Sequence, residues 1–134
     1  MNNNIFDTPD RTGEFDSADI QNTSVICGIS YIPPLFFLPL VVNSNSRFGK
    51  FHANQALLAL LYSFASGVVG SVLFVVFGIL GEIPIMGWLF GIIGVLIGLA
   101  LGLSAFVMVV VGMINGFSGK AKELPVIGKF TILK

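Results

Sequence analysis

The stretch "IPIMGWLFGIIGVLIGLALGLSAFVMVVVGMINGFSG", residues 83–119, contains no aspartate, glutamate, lysine or arginine. A helix that crosses a lipid bilayer needs roughly 20 mostly apolar residues, and this stretch is longer than that. Two further uncharged stretches precede it along the chain, Ile20–Ser46 and Phe51–Gly81. Three such stretches predict an all-α integral membrane protein, a helical bundle with three transmembrane helices.

The composition points in the same direction. The 134-residue chain is 54% hydrophobic and only 10% charged, and its mean hydropathy is +0.91. Soluble domains carry about 25% charged residues. A chain of this length suits one domain, whose interior is too small to bury so many large apolar side chains. The composition therefore excludes an ordinary soluble domain and predicts the lipid bilayer as a partner.

The charged residues divide the chain into three regions. An acidic tail over residues 1–22 is predicted to be disordered, and a basic tail over 117–134 is predicted to lie on the membrane surface. Between them lies a membrane domain, residues 23–116, whose loops contain turn-forming residues. The three helices of this domain are predicted at about 23–42, 53–80 and 87–116.

The basic residues predict an orientation. The loop after the first helix carries Arg47 and Lys50, the C-terminal tail carries four lysines, and the N-terminal tail carries only Arg11. Because basic residues favour the cytoplasmic side, the C-terminus is predicted to be cytoplasmic and the N-terminus outside. A four-helix arrangement is the alternative. It would place Glu82 and Pro84 in the hydrocarbon, where an acid costs roughly 2.5 to 3.5 kcal/mol.

The first predicted helix contains three prolines, Pro33, Pro34 and Pro39. Proline lacks a backbone N–H and leaves a carbonyl of the preceding turn without its helical partner. The simpler interpretation is a kinked helix whose free carbonyls are met by neighbouring groups. The alternative is a broken helix that lines an aqueous path, as in a pore or transporter.

Small residues recur on one face of the second and third predicted helices. Small side chains let helices approach closely in lipid, where van der Waals contact replaces the hydrophobic effect. Either the two helices form an antiparallel hairpin along these faces, or one face forms a homo-oligomer. The predicted packing stripe comprises Ala59, Ser63, Gly67 and Gly70 on the second helix, and Gly91, Gly94, Gly98 and Gly102 on the third.

A polar cluster stands at the beginning of the second helix. His52 and Gln55 lie at the head of its small-residue face and are predicted to form a polar lock, bonding to free carbonyls or to Asn115 where the third helix ends. Four neighbours are predicted to anchor the loop at the level of the lipid headgroups: Arg47, Phe48, Lys50 and Phe51.

No catalytic or metal-binding group can be assembled from these residues. His52 is the only histidine and Cys27 the only cysteine, and the predicted topology places them at opposite ends of the membrane. A histidine needs an orienting carboxylate, a nucleophile or further ligands to act in catalysis or to hold a metal. We therefore predict no enzymatic activity, no cofactor, no metal and no nucleic-acid partner.

Two segments carry a resemblance to a known family. "RFGKFHANQALLALL" (47–61), preceded by a proline-containing apolar span, and "INGFSGKAKELPVIGK" (114–129) resemble a family of small bacterial membrane proteins of unknown function. That family is similar in turn to the Tic-type membrane component of the chloroplast protein-import machinery, which is drawn with four spans. The resemblance implies a polytopic protein of the bacterial plasma membrane without known catalysis. Its import relatives imply a role in moving or assembling other proteins.

These observations predict a non-enzymatic accessory or scaffold subunit that packs with itself or with a larger membrane complex. The alternative is a pore or protein-translocation element built around the proline-containing first span. Both interpretations require a membrane-protein partner or a second copy of the chain.

Overall fold

The computed structural model describes residues 6–133, and four α-helices account for most of them. Helix α1 covers Ser17–Ile29, α2 covers Leu38–Val42, α3 covers Arg47–Gly81 and α4 covers Gly87–Phe117. Short 3-10 helices occupy Thr12–Glu14 and Leu35–Phe37. Within the described residues the only β-type pairing is an isolated bridge between Asp10 and Lys122.

The chain divides into two compact units. One comprises Met1–Leu61 and Met108–Lys134, and is called the tail unit below; the other comprises Tyr62–Val107, and is called the hairpin unit. Helices α3 and α4 each contribute residues to both units. The two units differ in the chemistry of their surfaces.

The hairpin unit consists of the second part of α3 and the first part of α4, joined by a turn at residues 82–86. Tyr62 and Ser104 connect the two arms through their hydroxyl groups, whose oxygens lie 2.8 Å apart. The side chains that point outward are large and apolar: Phe74 is 81% exposed and Trp88 69%. Both α3 and α4 are long and apolar enough to cross a membrane.

The tail unit has an ordinary buried core. Cys27, Phe48 and Ala121 are fully buried in one cluster, and Tyr31, Ala59 and other residues form a second. Helix α1 lies directly against the end of α4. A Cβ placed on Gly116 would lie 2.6 Å from the backbone nitrogen of Gly28, so only glycine permits this contact.

The predicted first transmembrane helix over residues 23–42 is not a single helix. Helix α1 ends at Ile29, turns follow it, and two short helices complete the segment. Pro33 and Pro34 lie in these turns, because consecutive prolines cannot donate to the helical ladder and disfavour helical geometry in the residue before them. Pro39 lies in the first turn of α2, where its missing N–H costs nothing. The prolines therefore separate helices, and the prediction that they kink one helix is wrong.

The N-terminal tail is paired with the C-terminal tail. The Arg11 amide donates to the carbonyl of Ala121 over 2.9 Å, and the Glu123 amide donates to the carbonyl of Pro9 over 3.2 Å. Residues joined in this way cannot lie on opposite sides of a bilayer, so the predicted separation of the termini is not compatible with this pairing. Of the predicted disordered tail, residues 6–22 include a 3-10 helix and the start of α1, while residues 1–5 lie outside the described part.

Candidate functional site

The beginning of α3 presents three polar side chains, His52, Asn54 and Gln55, to the C-terminal segment of the chain. We call these three residues the polar clamp. All three side chains are nearly or completely buried. The segment that they contact, residues 120–133, contains no regular helix. Because that segment makes only a few backbone hydrogen bonds of its own, in turns, its other amides and carbonyls need further partners.

His52 connects two parts of the tail unit. Its Nε2 lies 2.9 Å from the carbonyl oxygen of Lys120, and its Nδ1 lies 2.9 Å from the hydroxyl oxygen of Tyr31. A carbonyl oxygen can only accept, so Nε2 carries the proton and donates it. A neutral imidazole then accepts at Nδ1, and the Tyr31 hydroxyl donates to it. The two contacts together fix one tautomer of a fully buried imidazole.

Gln55 uses both ends of its amide group. Its Nε2 donates to the carbonyl of Gly128 over 2.8 Å, and its Oε1 accepts the amide of Leu124 over 2.9 Å. Gly128 has no room for a side chain, because an added Cβ would lie 2.3 Å from the Leu124 nitrogen and 2.8 Å from Gln55 Oε1. Gln55 and Gly128 therefore fit together closely.

Asn54 holds the last described residues. Its Nδ2 donates to the carbonyl of Phe130 over 2.8 Å. Its Oδ1 accepts the amides of Ile132 and Leu133 over 2.7 Å and 3.0 Å. With these contacts the polar clamp binds the C-terminal segment from residue 120 to residue 133.

The residues of the predicted polar lock take the following positions. His52 and Gln55 both bond to backbone groups, and these groups lie beyond the end of α4 in the C-terminal segment. Asn115, the third residue of the predicted lock, is 8% exposed, and its backbone carbonyl accepts the amide of Lys120 over 2.9 Å. Asn115 thus helps to set the path of the chain that leads to the clamp.

The predicted headgroup anchors divide into two groups. Arg47 and Lys50 are exposed. Phe48 is fully buried, with its ring 4.6 Å from that of His52, so it belongs to the core and cannot serve as an anchor at the surface. Phe51 is half-buried, and the guanidinium carbon of Arg11 lies 5.9 Å from its ring centre.

The predicted packing stripe is only partly in contact. A Cβ on Gly94 would lie 2.9 Å from Phe77, and one on Gly70 would lie 3.9 Å from Leu101, so these two glycines face the opposite arm. Ala59 belongs to the core of the tail unit, and Ser63 lines a groove of the hairpin unit. The remaining four would meet nothing within 4 Å: Gly67, Gly91, Gly98 and Gly102.

Acidic side chains organise the tail unit through hydrogen bonds. Asp19 of α1 accepts the amide of Phe48 over 3.0 Å and the hydroxyl of Thr23 over 3.2 Å. Desolvation raises the pKa of Asp19, but hydrogen bonds from Ser46, Phe48 and Thr23 outweigh it and hold the pKa below its ordinary value. A side-chain hydrogen bond from Thr12 similarly lowers the pKa of Asp10.

The described residues contain no group of three or more His, Cys, Asp or Glu side chains that could hold a metal ion. Burial raises the pKa of the Cys27 thiol to about 12, so the thiol remains protonated and unreactive near neutral pH. The arrangement is suited to holding backbone segments together. The absence of catalysis and of a cofactor remains a prediction.

The sequence does not predict the roles of two residues of this site, Asn54 and Tyr31. Asn54 projects to a different side of α3 from His52, and only the path of the C-terminal segment around the helix brings both into one clamp. Tyr31 lies in a stretch that resembles a membrane span, and its contact with His52 depends on the turn after α1. No local sequence signal reveals either contact, because both depend on the tertiary path of the chain.

The sequence of the chain matches a known family over residues 20–131, which include the polar clamp and most of the C-terminal segment. The family is described as the magnetosome magnetite crystal formation protein family. The magnetosome protein MmsF of Paramagnetospirillum magneticum is 35% identical over 88 residues, which cover 63% of this chain and 72% of MmsF. No solved structure matches significantly. The chain therefore belongs to the magnetosome magnetite crystal formation protein family.

Proposed function

We propose that this protein is a non-enzymatic accessory or scaffold subunit of the magnetosome membrane that supports magnetite crystal formation. Membership in the family supports a role in magnetite crystal formation. The name of the MmsF relative, a magnetosome protein, supports a location in the magnetosome membrane. The hairpin unit supports the mode of action, since it combines a lipid-compatible surface with small residues that lack neighbours.

The dimensions of the hairpin unit suit a bilayer. Its arms run over residues 62–81 and 87–107, about 20 residues each, which is about 30 Å at 1.5 Å per residue. Its only charged residue is Glu82, which lies exposed in the turn. Large apolar side chains that point outward would be costly in water and are favourable in lipid. We propose two membrane crossings, in place of the three that the sequence predicts.

A hairpin that crosses the membrane twice returns both tails to the same side. The pairing of residues 9–11 with residues 121–123 supports this arrangement. All seven lysines and arginines lie outside the hairpin unit, so the bias of basic residues towards the cytoplasm places both tails there. The turn with Glu82 then lies on the far side. Trp88, exposed beside the turn, suits the far headgroup region.

The observation that carries the scaffold proposal is the set of glycines without neighbours. Gly98 and Gly102 are one helical turn apart on α4, and with Gly67 of α3 they line a groove of about 540 Å³ in the hairpin unit. A glycine inside a helix costs about 1 kcal/mol relative to alanine. A second helix placed against these glycines would make the close contacts that offset this cost in lipid. The occupant is a second copy of the chain or another membrane protein.

Substitution of Gly98 by leucine tests the proposal, because the added side chain would fill the groove. The variant should insert normally but lose partners or self-association in mild detergent, as measured by co-purification and mass spectrometry. Val72→Leu, which adds volume at a position that is 58% exposed, is the matched control and should retain them. Unchanged association of Gly98→Leu would contradict the scaffold role. Solute flux through reconstituted wild-type protein would favour the alternative, a pore or translocation element of the kind that the Tic-type resemblance implies.

A further inference from the structure

A cationic pocket lies beside the polar clamp in the tail unit. It has a volume of about 240 Å³ and is lined by residues from three separate parts of the chain. The N-terminal tail contributes Arg11, the beginning of α3 contributes Arg47 and Lys50, and the C-terminal segment contributes Lys129 and Thr131. Because these parts meet only in the folded tail unit, the pocket is a product of the fold and has no counterpart in a single sequence motif.

The charges around the pocket do not cancel. Four basic side chains line it, against one acid, Glu123. The guanidinium of Arg11 lies 2.8 Å from Glu14 and 3.9 Å from Glu123, so part of its charge is compensated. The guanidinium of Arg47 lies 5.8 Å from the ring centre of Phe15, and Arg47 also attracts the carboxylate of Glu14, which does not line the pocket. The lining therefore carries a positive excess that attracts an anion.

The polar and apolar parts of the lining suit an anion with an attached organic group. Lysine, arginine and threonine side chains supply only donors or a hydroxyl, which are the groups that bind phosphate oxygens. Phe15, Phe51 and Leu133 provide apolar walls. The volume is below that of pockets for drug-sized ligands and suits a small headgroup.

The C-terminal segment also carries a feature of a membrane surface. Between and beside its lysines, Val126 is 73% exposed, Phe130 56% and Ile132 50%. Exposed apolar side chains interleaved with lysines are typical of segments that lie in the headgroup region of an anionic bilayer. The same segment carries Lys129 and Thr131, so the mouth of the pocket and the apolar side chains share one short stretch of chain.

We propose that this pocket binds the phosphate group of an anionic membrane lipid. The lipid as the source of the phosphate rests on the membrane insertion proposed above, whereas the cationic pocket itself does not depend on the scaffold role. Lys50 belongs to α3 and Lys129 to the C-terminal segment, so a phosphate bound by both lysines would connect these two parts of the lining. Binding therefore stabilises the closed arrangement in which the C-terminal segment lies against α3.

The test measures lipid retention by the full-length protein in a zwitterionic detergent, using native mass spectrometry with phosphatidylglycerol and phosphatidylcholine as probes. The wild-type protein should retain phosphatidylglycerol preferentially. The double variant Lys50→Gln/Lys129→Gln should lose about tenfold in affinity, as expected when charge-assisted hydrogen bonds to phosphate are removed. Lys120→Gln is the matched control: it removes a lysine of the same segment that does not line the pocket, and it should bind like the wild type.

Three outcomes would overturn the proposal. Equal losses in Lys120→Gln and in the double variant would show attraction without a site, and equal retention of the two lipids would remove the headgroup preference. Binding of inorganic phosphate without lipid retention would assign the pocket to a free anion. Partner co-purification measured on the same double variant separates this proposal from the scaffold role, because the variant should retain its partners.

Discussion

The carboxylate of Asp19 in α1 accepts the backbone amide of Phe48 in the first turn of α3, across 3.0 Å. The first amides of a helix have no partner within the helix, so a carboxylate at this position satisfies one and interacts favourably with the helix dipole. Here the capping group comes from a different helix, 29 positions earlier in the chain. Ser46 supplies the local cap by accepting the Gly49 amide over 2.8 Å. Asp19 therefore connects α1 to α3.

Asp19→Asn should reduce stability by about 1–3 kcal/mol, since it removes charge-assisted hydrogen bonds. Because the pKa of Asp19 is lower in the folded protein, its contribution is fully present above the unfolded pKa near 3.8 and disappears as the pH falls through the folded pKa. Thermal unfolding in detergent between pH 7 and pH 3 should show a smaller acid-induced loss for Asp19→Asn than for the wild type. Asp7→Asn, at an exposed position, is the control.

His52→Ala should reduce stability by about 3 kcal/mol, because it leaves the Tyr31 hydroxyl and the Lys120 carbonyl without their partner and opens a cavity in the core. Thermal unfolding would give the magnitude. Limited proteolysis should show faster cleavage within residues 120–133. Asn45→Ala, at an exposed position just before α3, should change neither result. A His52→Ala protein that unfolds and resists cleavage like the wild type would show that the clamp does not hold the C-terminal segment.

Gly128→Ala should destabilise the protein by about 1–3 kcal/mol, the usual range for an added methyl group in a filled space. The methyl group would collide with the backbone of Leu124 and displace Gln55. Gly13→Ala is a matched control, because a Cβ at Gly13 would meet nothing within 4 Å. Denaturant unfolding of the two variants side by side measures the difference. Equal stability of the two would mean that the contact between Gln55 and Gly128 can rearrange without cost.

The proposed topology makes a labelling prediction. In membrane vesicles whose cytoplasmic face is outward, an impermeant maleimide should label Asp7→Cys and Lys120→Cys, in a Cys27→Ser background. Pro84→Cys, at the exposed turn, should react only after the membrane is permeabilised. Labelling of Asp7→Cys and Lys120→Cys from opposite sides would restore the three-span arrangement.

The native thiol of Cys27 offers a measure of folding. Burial raises its pKa to about 12, so the folded wild-type protein should not react with a maleimide at pH 8. The same protein unfolded in sodium dodecyl sulfate should react fully, and the difference should track the stability of each variant. Rapid labelling of the folded wild type would mean that α1 separates readily from the end of α4.

The pattern of charged residues was sufficient to predict the two long helices, because a long uncharged apolar stretch is typical of a helix that can cross a membrane. It also predicted a single third helix over residues 23–42, where the structure has the end of α1, turns and two short helices instead. Apolar residues in that stretch, such as Cys27 and Tyr31, fill the core of the tail unit, and hydropathy does not distinguish lipid from a protein interior. The polar lock was likewise predicted only in part. Helical projection places His52 and Gln55 at the head of one face, but their partners lie in a segment without periodicity, whose path no local pattern specifies.

The bridge between Asp10 and Lys122 joins residues near the two ends of the chain. During synthesis, the last residue of the hairpin unit, Val107, is added before Lys122. The contacts within residues 62–107 therefore need no residue that is added later, whereas the N-terminal tail, α1 and the polar clamp wait for the last residues to be translated. A stop codon or a bulky fusion near residue 120 would leave α1 and the polar clamp without the C-terminal segment that they contact.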